Sequence, residues 1–444
     1  MLKKDISQEL QSYCREYFFS QDKNSKLYNI RLGAYELFKI NGLPNSKDEN
    51  WKYTNISQKI DTIPEYSNNL PVPLNINNFI NNFDIMKKLK ETNDTVLVFM
   101  DGSLQRQLSI IDPNKKNIEI SSLNEDVPDW ALEIISDKHS ENSDQIFDIN
   151  TILMQDGALI NIKQNKEKVD NVYIVHVGNN NGFFNYRHVI NIEQGARANI
   201  IELKISNRID INALYTSSII WKLADNCIVN NVKYQSHNQL TVGFNQQYAD
   251  IGNNVEFNSF TISSGSKLLR EYRSINCNGS GSDVSISGIN LLDGDSHIDT
   301  FLLVKHIAPN TTSREKYKSI LNDRSRGVFQ GNIIVDPEAQ KTLAKQSIDA
   351  LILSDKAEHD AKPELEIYAD DVQCGHGATT GQISEDSLFY LKSRGIPEEE
   401  AKTLLVQAFL LEALDEVKDK NTILIFSDVM KNILNRVSKG SLNV

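Results

Sequence analysis

The chain has 444 residues, 40% of them hydrophobic and 24% charged, with a formal net charge of −12 at pH 7. That length suits two or three domains, or one elongated domain with appendages, in a folded globular protein. The acidic balance argues against a nucleic-acid binder, which needs a basic face to neutralise phosphates, and against attachment to a membrane surface. The abundance of Asn, Ile and Lys is read as nucleotide bias in the coding sequence.

Cys14, Cys227, Cys277 and Cys374 are scattered, without a CxxC or paired spacing, which points to a reducing compartment. The opening MLKKDISQEL has two lysines but no apolar run, so no secretory signal is expected. No stretch reaches the roughly 18 apolar residues of a membrane span. A cytoplasmic protein is expected.

In chain order, ISQELQSYCREYFF and SKLYNIRLGAYELFKI place apolar residues three and four apart, predicting helices through the first 45 residues, stopped by NGLP. SKDENWKYTNI reads as a loop or edge segment anchored by Trp51. TVLVFMDG, 95–102, predicts a buried strand ending in a turn, and LNEDVPDWALEIISDKHSENSDQ an acidic surface helix and loop. From about 150 to 370, short Val- and Ile-rich alternating runs recur between Asn, Gly and Ser turns. A sandwich, a barrel or a β-solenoid fits that texture. The turns EQGA, DIGNN and LLDGDS lie twenty or more residues apart, which favours a β-helix whose coils hold several strands each.

The C-terminal segment is helical again. SEDSLFYLKSRG starts from a Ser/Asp cap and closes at Gly395. IPEEEAKTLLVQAFLLEALDEV places Pro397 in its first turn, followed by three glutamates. Its Ala401, Leu404, Leu405, Ala408, Leu411 and Leu414 stripe reads as intramolecular core, with partner docking as the sharper alternative. A third helix is predicted over 428–438, capped by Ser427 and closed by Gly440.

Phosphate-loop, GxSxG, HExxH and GxGxxG motifs are absent. GSGSD, 279–283, reads as a turn. The chemistry-bearing stretch is DDVQCGHGATTGQ, 370–382. On extended backbone Cys374 and His376 fall on one face, and Gly375 and Gly377 let another chain approach. An imidazolium would lower the thiol pKa, and Asp370 and Asp371 could orient His376. A structural zinc site wants four ligands, so a metal-ligand pair, a nucleophile with its base and a glycine-flanked turn all remain open. His306 reads as a packed or hydrogen-bonded residue, Cys227 and Cys277 as core, and His359 as solvated in a charged loop.

The run from HIAPNTTSREKYKSIL through RGVFQGNIIVDPEAQ to DDVQCGHGATT and IPEEEAKTLLVQAF, 306–409, resembles the C-terminal core of the SufB/SufD family of iron–sulfur cluster assembly proteins. KDENWKYTNI, 47–56, looks like the N-terminal signature of the SufD branch. The resemblance implies a mainly β fold with helical ends: a right-handed parallel β-helix core (91–383) between an N-terminal helical region (1–90) and a C-terminal helical domain (384–444). It implies a non-catalytic scaffold subunit that pairs with a SufB-like paralogue and binds a SufC-like ABC ATPase, which supplies the ATPase activity. The docking residues it implies are Pro397, Leu404, Leu405, Ala408 and Phe409. A role in iron acquisition, and a transient iron–sulfur cluster at the interface held by His376 with Cys374 as the weaker candidate, follow in the same way. A reduced flavin in the assembled complex has no residue assigned. Gly375 stands where the family pattern has serine, which removes one hydroxyl. The rival readings are a β-helical carbohydrate-active enzyme and a SufB-like homodimeric scaffold.

Overall fold

The computed structural model describes residues 6–65, 94–137, 144–164, 169–206, 210–414 and 417. The helix predicted over 428–438 lies outside the described residues. Helices α1 (Ile6–Phe19) and α2 (Tyr28–Asn41) form the N-terminal pair. Ile6, Leu10, Cys14 and Phe18 make one buried face because they recur every three or four residues. Phe18 stacks on Tyr35 at 5.0 Å between ring centroids. Three short helices follow: α3 (Ile56–Lys59), α4 (Asp129–Ser136) and α5 (Gln145–Leu153). The Asp144 side chain accepts from the N–H groups of Ile146 and Phe147 at the start of α5, satisfying donors the helix itself cannot.

Among the described residues nineteen strands make two sheets. The first runs, in spatial order, β19 (Gln373–Gly381), β17 (Leu343–Ile352), β15 (Thr312–Leu321), β13 (Asp283–Leu292), β11 (Glu256–Gly265), β9 (Ile228–His237), β7 (Arg197–Ser206), β5 (Asp170–Gly178), β1 (Thr95–Met100) and β2 (Ser103–Leu104). The second runs β18 (Glu358–Ile367), β16 (Arg326–Val335), β14 (His297–His306), β12 (Leu268–Cys277), β10 (Val242–Ile251), β8 (Ala213–Leu223), β6 (Gly182–Ile192), β4 (Ala158–Ile162) and β3 (Ile118–Ser122). Pairing is parallel except at β1–β2 and β3–β4. The chain alternates between sheets, so β5/β6 to β17/β18 are seven coils of a solenoid and β19 opens an eighth.

The β-helix expectation holds, but each coil has two long strands rather than several short ones. Asparagine also has a structural place. Asn171, Asn199, Asn230 and Asn258 stack coil on coil, each side-chain amide donating to the one before at 2.9, 2.9 and 3.1 Å. An amide carries donor and acceptor, so identical residues at strand spacing can link in a ladder. The turns entering β7, β9, β11, β13, β15 and β17 each place one residue at positive φ: Gly195, Asn226, Asn254, Gly281, Asn310 and Lys341. Asparagine and glycine tolerate that conformation best.

From β5 to β14 both sheets are largely buried on both faces, as covered parallel sheets are. The outer face of the second sheet lies under the N-terminal helices, where Phe183, Leu214, Val242 and Phe244 meet Phe18, Phe38 and Trp51. Trp51 does anchor its loop. Its ring lies 3.9 Å from the Arg270 guanidinium, and Arg270 Nη2 donates to the Asn50 carbonyl at 2.6 Å. Thr54 and Arg270 both bond Asp299, and Thr54 Oγ1 meets His297 Nε2 at 3.2 Å. The 47–56 segment is thereby strapped across β12, β14 and β16, to which Gln330 adds a bond to the Asn50 carbonyl at 3.1 Å.

The outer face of the first sheet carries the C-terminal hairpin, α6 (Glu385–Ser393) and α7 (Glu398–Leu411). Ser384 caps α6 by accepting from the Ser387 N–H, and Gly395 between the helices has φ +87°. Pro397 is the N-cap of α7, one position before the first turn. Val406, Leu410 and Ala413 pack on Ile289, Leu291, Ile320 and Leu351.

Candidate functional site

β19 is the last strand of its sheet, and among the described residues no further strand of the second sheet follows β18 to complete its coil. Its register on β17 sets Ala344 beside Cys374 and Gln346 beside His376. Those β17 neighbours are buried, because inward positions of a complete coil have a roof and a floor. The same inward column continues through Glu315, Gln346 and His376, yet His376 is exposed and Cys374 half-buried. The exposure comes from the solenoid ending there. Cys374 and His376 share one face of extended backbone, as their spacing predicts.

Cys374 packs against Ile333, Val335, Ala339, Ala344 and Ala369, and burial raises its thiol pKa above the ordinary value. His376 makes no hydrogen bond or ion pair within the described residues, so Asp370 and Asp371 do not orient it; the Asp371 N–H is bound to Gln340 Oε1 at 2.9 Å. An added Cβ at Gly375, Gly377 or Gly381 would meet nothing within 4 Å, so the strand's other face is open to a neighbouring backbone. Among the described residues no three His, Cys, Asp or Glu side chains converge as a metal site. This chain offers one imidazole and one thiol, an incomplete ligand set.

The other singled-out residues fall as follows. His306 is buried, with Nδ1 to Thr311 Oγ1 at 2.7 Å and Nε2 to Ser313 Oγ at 3.0 Å. Cys227 and Cys277 are core, and burial pushes both thiols up to about 12. His359 is not in a solvated loop: it lies on the inward face of β18, and its Nδ1 meets Thr380 Oγ1 at 2.8 Å. On α7 the buried set is Ala401, Val406 and Leu410, joined by Ala413 in the turn of 3-10 helix that follows. Of the expected core stripe only Ala401 is buried. Leu404, Ala408 and Leu411 are exposed, Leu405 and Leu414 half-buried, and Pro397 exposed. Leu404 and Leu411 face outward, while on the inward side, beside Val406 and Leu410, the Lys318 ammonium lies 4.1 Å from the Phe409 ring and 2.7 Å from Glu412. Phe389 and Tyr390 of α6 are exposed on the same hairpin.

Sequence reading missed the polar interior. Lys204 is buried against Glu202 at 3.0 Å, and Lys233 against Glu271 at 3.1 Å. Burial alone would raise Glu202, but Lys204 and Lys233 outweigh it and hold the carboxyl well below its usual range. Burial pulls Lys233 down to about 8 against the opposing pull of Glu271.

A two-sheet parallel solenoid whose last described strand carries an exposed imidazole beside a half-buried thiol defines a β-helical class of protein. Residues 174–409 match the model described as "SUF system FeS cluster assembly, SufBD core domain", and residues 8–173 match "SufBD protein N-terminal region". The chain belongs to the SufB/SufD family of iron–sulfur cluster assembly proteins and is SufD-like. It is 29% identical over 391 residues to the iron–sulfur cluster assembly protein SufD of Escherichia coli, covering 85% of this chain and 86% of that one. It is 26% identical over 429 residues to an iron–sulfur cluster assembly SufBD family protein of Synechocystis, covering 93% and 92%. A chloroplastic protein of Arabidopsis thaliana, ABCI7, is 24% identical over 418 residues, covering 90% and 85%. Family membership takes the place of the carbohydrate-active alternative.

Proposed function

We propose that this chain is a non-catalytic scaffold subunit of a SUF-type assembly complex, in which a SufB-like paralogue completes the open end of the solenoid. The observation that carries this reading is the edge at β19, unpaired on one side among the described residues, with His376 exposed and Cys374 half-buried on it. An unpaired strand is a template for another chain. The two edges differ. β18 carries Glu358, Asp360, Lys362, Glu364 and Glu366, with Pro363 in its middle, devices that discourage pairing. β19 has three glycines and no acid or lysine.

In this reading the nascent iron–sulfur cluster is cargo, and His376 is one terminal ligand to its iron. Cys374 stands beside it, and the paralogue supplies the rest. The exposed apolar face of α6 and α7, with Leu404, Leu405 and Ala408 after Pro397, docks the SufC-like ABC ATPase. Phe409 steadies that face from beneath, through Lys318. Iron acquisition by the complex and binding of a reduced flavin belong to the assembled particle rather than to residues of this chain.

The test is anaerobic reconstitution of the co-expressed complex with iron and sulfide. His376→Ala is expected to lower the cluster absorbance at least about tenfold, equivalent to ~1.4 kcal/mol of ligation, while Cys374→Ser has the smaller effect. A His376→Ala complex that assembles normally and forms cluster at the wild-type yield would refute the assignment.

A further inference from the structure

His376 makes no hydrogen bond within the described residues, yet its neighbour in register has an unused acceptor. That neighbour, in the same inward column, is Gln346 of β17, and the next residue along is Glu315 of β15. Both are buried. Gln346 Nε2 donates to Glu315 Oε2. Gly331 of β16 leaves the amide its space, since a Cβ there would collide with it. Gln346 Oε1 is buried without a partner among the described residues. Buried acceptors are almost always paired, so this oxygen asks for a donor.

The sheet order says where that donor comes from. β17 lies between β15 and β19, and the donor end of Gln346 is already spent on the β15 side. Its oxygen is left for the β19 side, where the inward neighbour is His376. Neighbours in register on this solenoid do reach one another. Gln346 bonds Glu315, and the asparagine ladder is linked at 2.9 to 3.1 Å, because paired strands lie only about 4.8 Å apart. The exposed His376 ring can turn between staggered positions about its Cα–Cβ bond without displacing a packed core.

An imidazole that ligates a metal through one nitrogen keeps an N–H on the other. That N–H usually donates to a carboxylate or carbonyl oxygen, which fixes the tautomer and makes the ring a stronger ligand. An amide turned the other way would offer the ring an N–H and compete for the lone pair that iron needs. By holding Nε2, Glu315 decides which end of the amide His376 meets.

We infer that Gln346 is a positioning residue for the His376 ligand: Gln346 Oε1 accepts the ring N–H while the other ring nitrogen holds iron, and Glu315 fixes the amide for that contact. This rests on the assembly reading, in which His376 ligates the cluster.

Anaerobic reconstitution of the co-expressed complex with iron and sulfide tests it, read both for cluster yield and for the reduction potential of the cluster formed. Gln346→Met keeps the length of the side chain without an acceptor, and Gln346→Glu keeps an acceptor oxygen in the same place. Gln346→Met is expected to lower the yield at least about tenfold. It should also shift the potential of the remaining cluster upward, because a ring that has lost its acceptor donates less charge to iron. Gln346→Glu should bring both back towards wild type, which a role in packing alone would not do. Thermal melts check that each variant complex is folded. Should Gln346→Met not fold, Glu315→Met, which releases the amide, is read in its place with the same expectation. Wild-type yield or an unshifted potential in the Met variant, or equal losses in Gln346→Met and Gln346→Glu, overturns the inference; if His376→Ala still loses the cluster, the ligand role survives that outcome. A His376→Ala complex at wild-type yield removes the ligand role and this inference together.

Discussion

Glu315 sits one coil beyond Gln346 in the column that ends at His376, and burial raises its carboxyl to about 8. A carboxyl whose folded pKa lies above its unfolded value binds more protons when folded, so stability falls as pH rises from the unfolded pKa towards about 8. At about 1.4 kcal/mol per pKa unit the effect is on the order of several kcal/mol. Glu315→Gln removes it: urea unfolding should show the variant gaining on wild type between pH 5 and pH 8, and a constant difference would contradict the buried neutral acid. Trp51→Ala, which empties the strap under Arg270, is expected to cost about 3–5 kcal/mol in the same assay. At this scale the sequence is legible where side-chain chemistry and strand period coincide, as at Cys374 and His376. It misleads at Glu202 and Lys204. Alternation with Ile201, Leu203 and Ile205 makes the two charges read as solvent-facing, but the structure turns them inward and buries the apolar set outside. Period two tells which residues share a face, not which face is the core.

Elements bear out the same contrast. Caps and breakers placed α1, α2, α6 and α7 well, because Gly42, Ser384 and Gly395 act locally. The buried face of α7 was misread because the residues it packs on, Ile289, Leu291, Ile320 and Leu351, lie far away in sequence. Glutamate at both Leu404 and Leu411 is therefore expected to leave the melting temperature unchanged and to reduce capture of the SufC-like ATPase at least about tenfold, ~1.4 kcal/mol. Normal capture in a pull-down would move the docking face elsewhere. On β19 the Gln373 N–H donates back to the Thr342 carbonyl at 2.9 Å, and alternate residues of a parallel strand point the opposite way. The N–H of Ala378 then points off the edge. Ala378→Pro should leave the isolated chain folded and prevent co-purification of the SufB-like paralogue; a complex at wild-type yield would show that pairing runs along another surface.

At the scale of the whole molecule, texture gave a solenoid but not its coil. Successive coils repeat at unequal intervals, 28 and 31 residues along the asparagine ladder, so no consensus repeat is visible in the chain. Stacked repeats need caps. The N-terminal helices and the 47–56 strap cover one sheet and the C-terminal hairpin the other, leaving the β18/β19 end as the surface without one among the described residues. The isolated chain has the option of pairing that end with a second copy, and light scattering across concentrations should then give a dimer that the paralogue dissolves. Hydrogen exchange at the same end tests the central claim most directly. In the dilute isolated chain the outward amides of Cys374, His376, Ala378 and Thr380 should exchange fast, and adding the SufB-like paralogue should slow them at least about a hundredfold, ~2.7 kcal/mol. Rates unchanged by a bound paralogue would contradict a site completed across this edge.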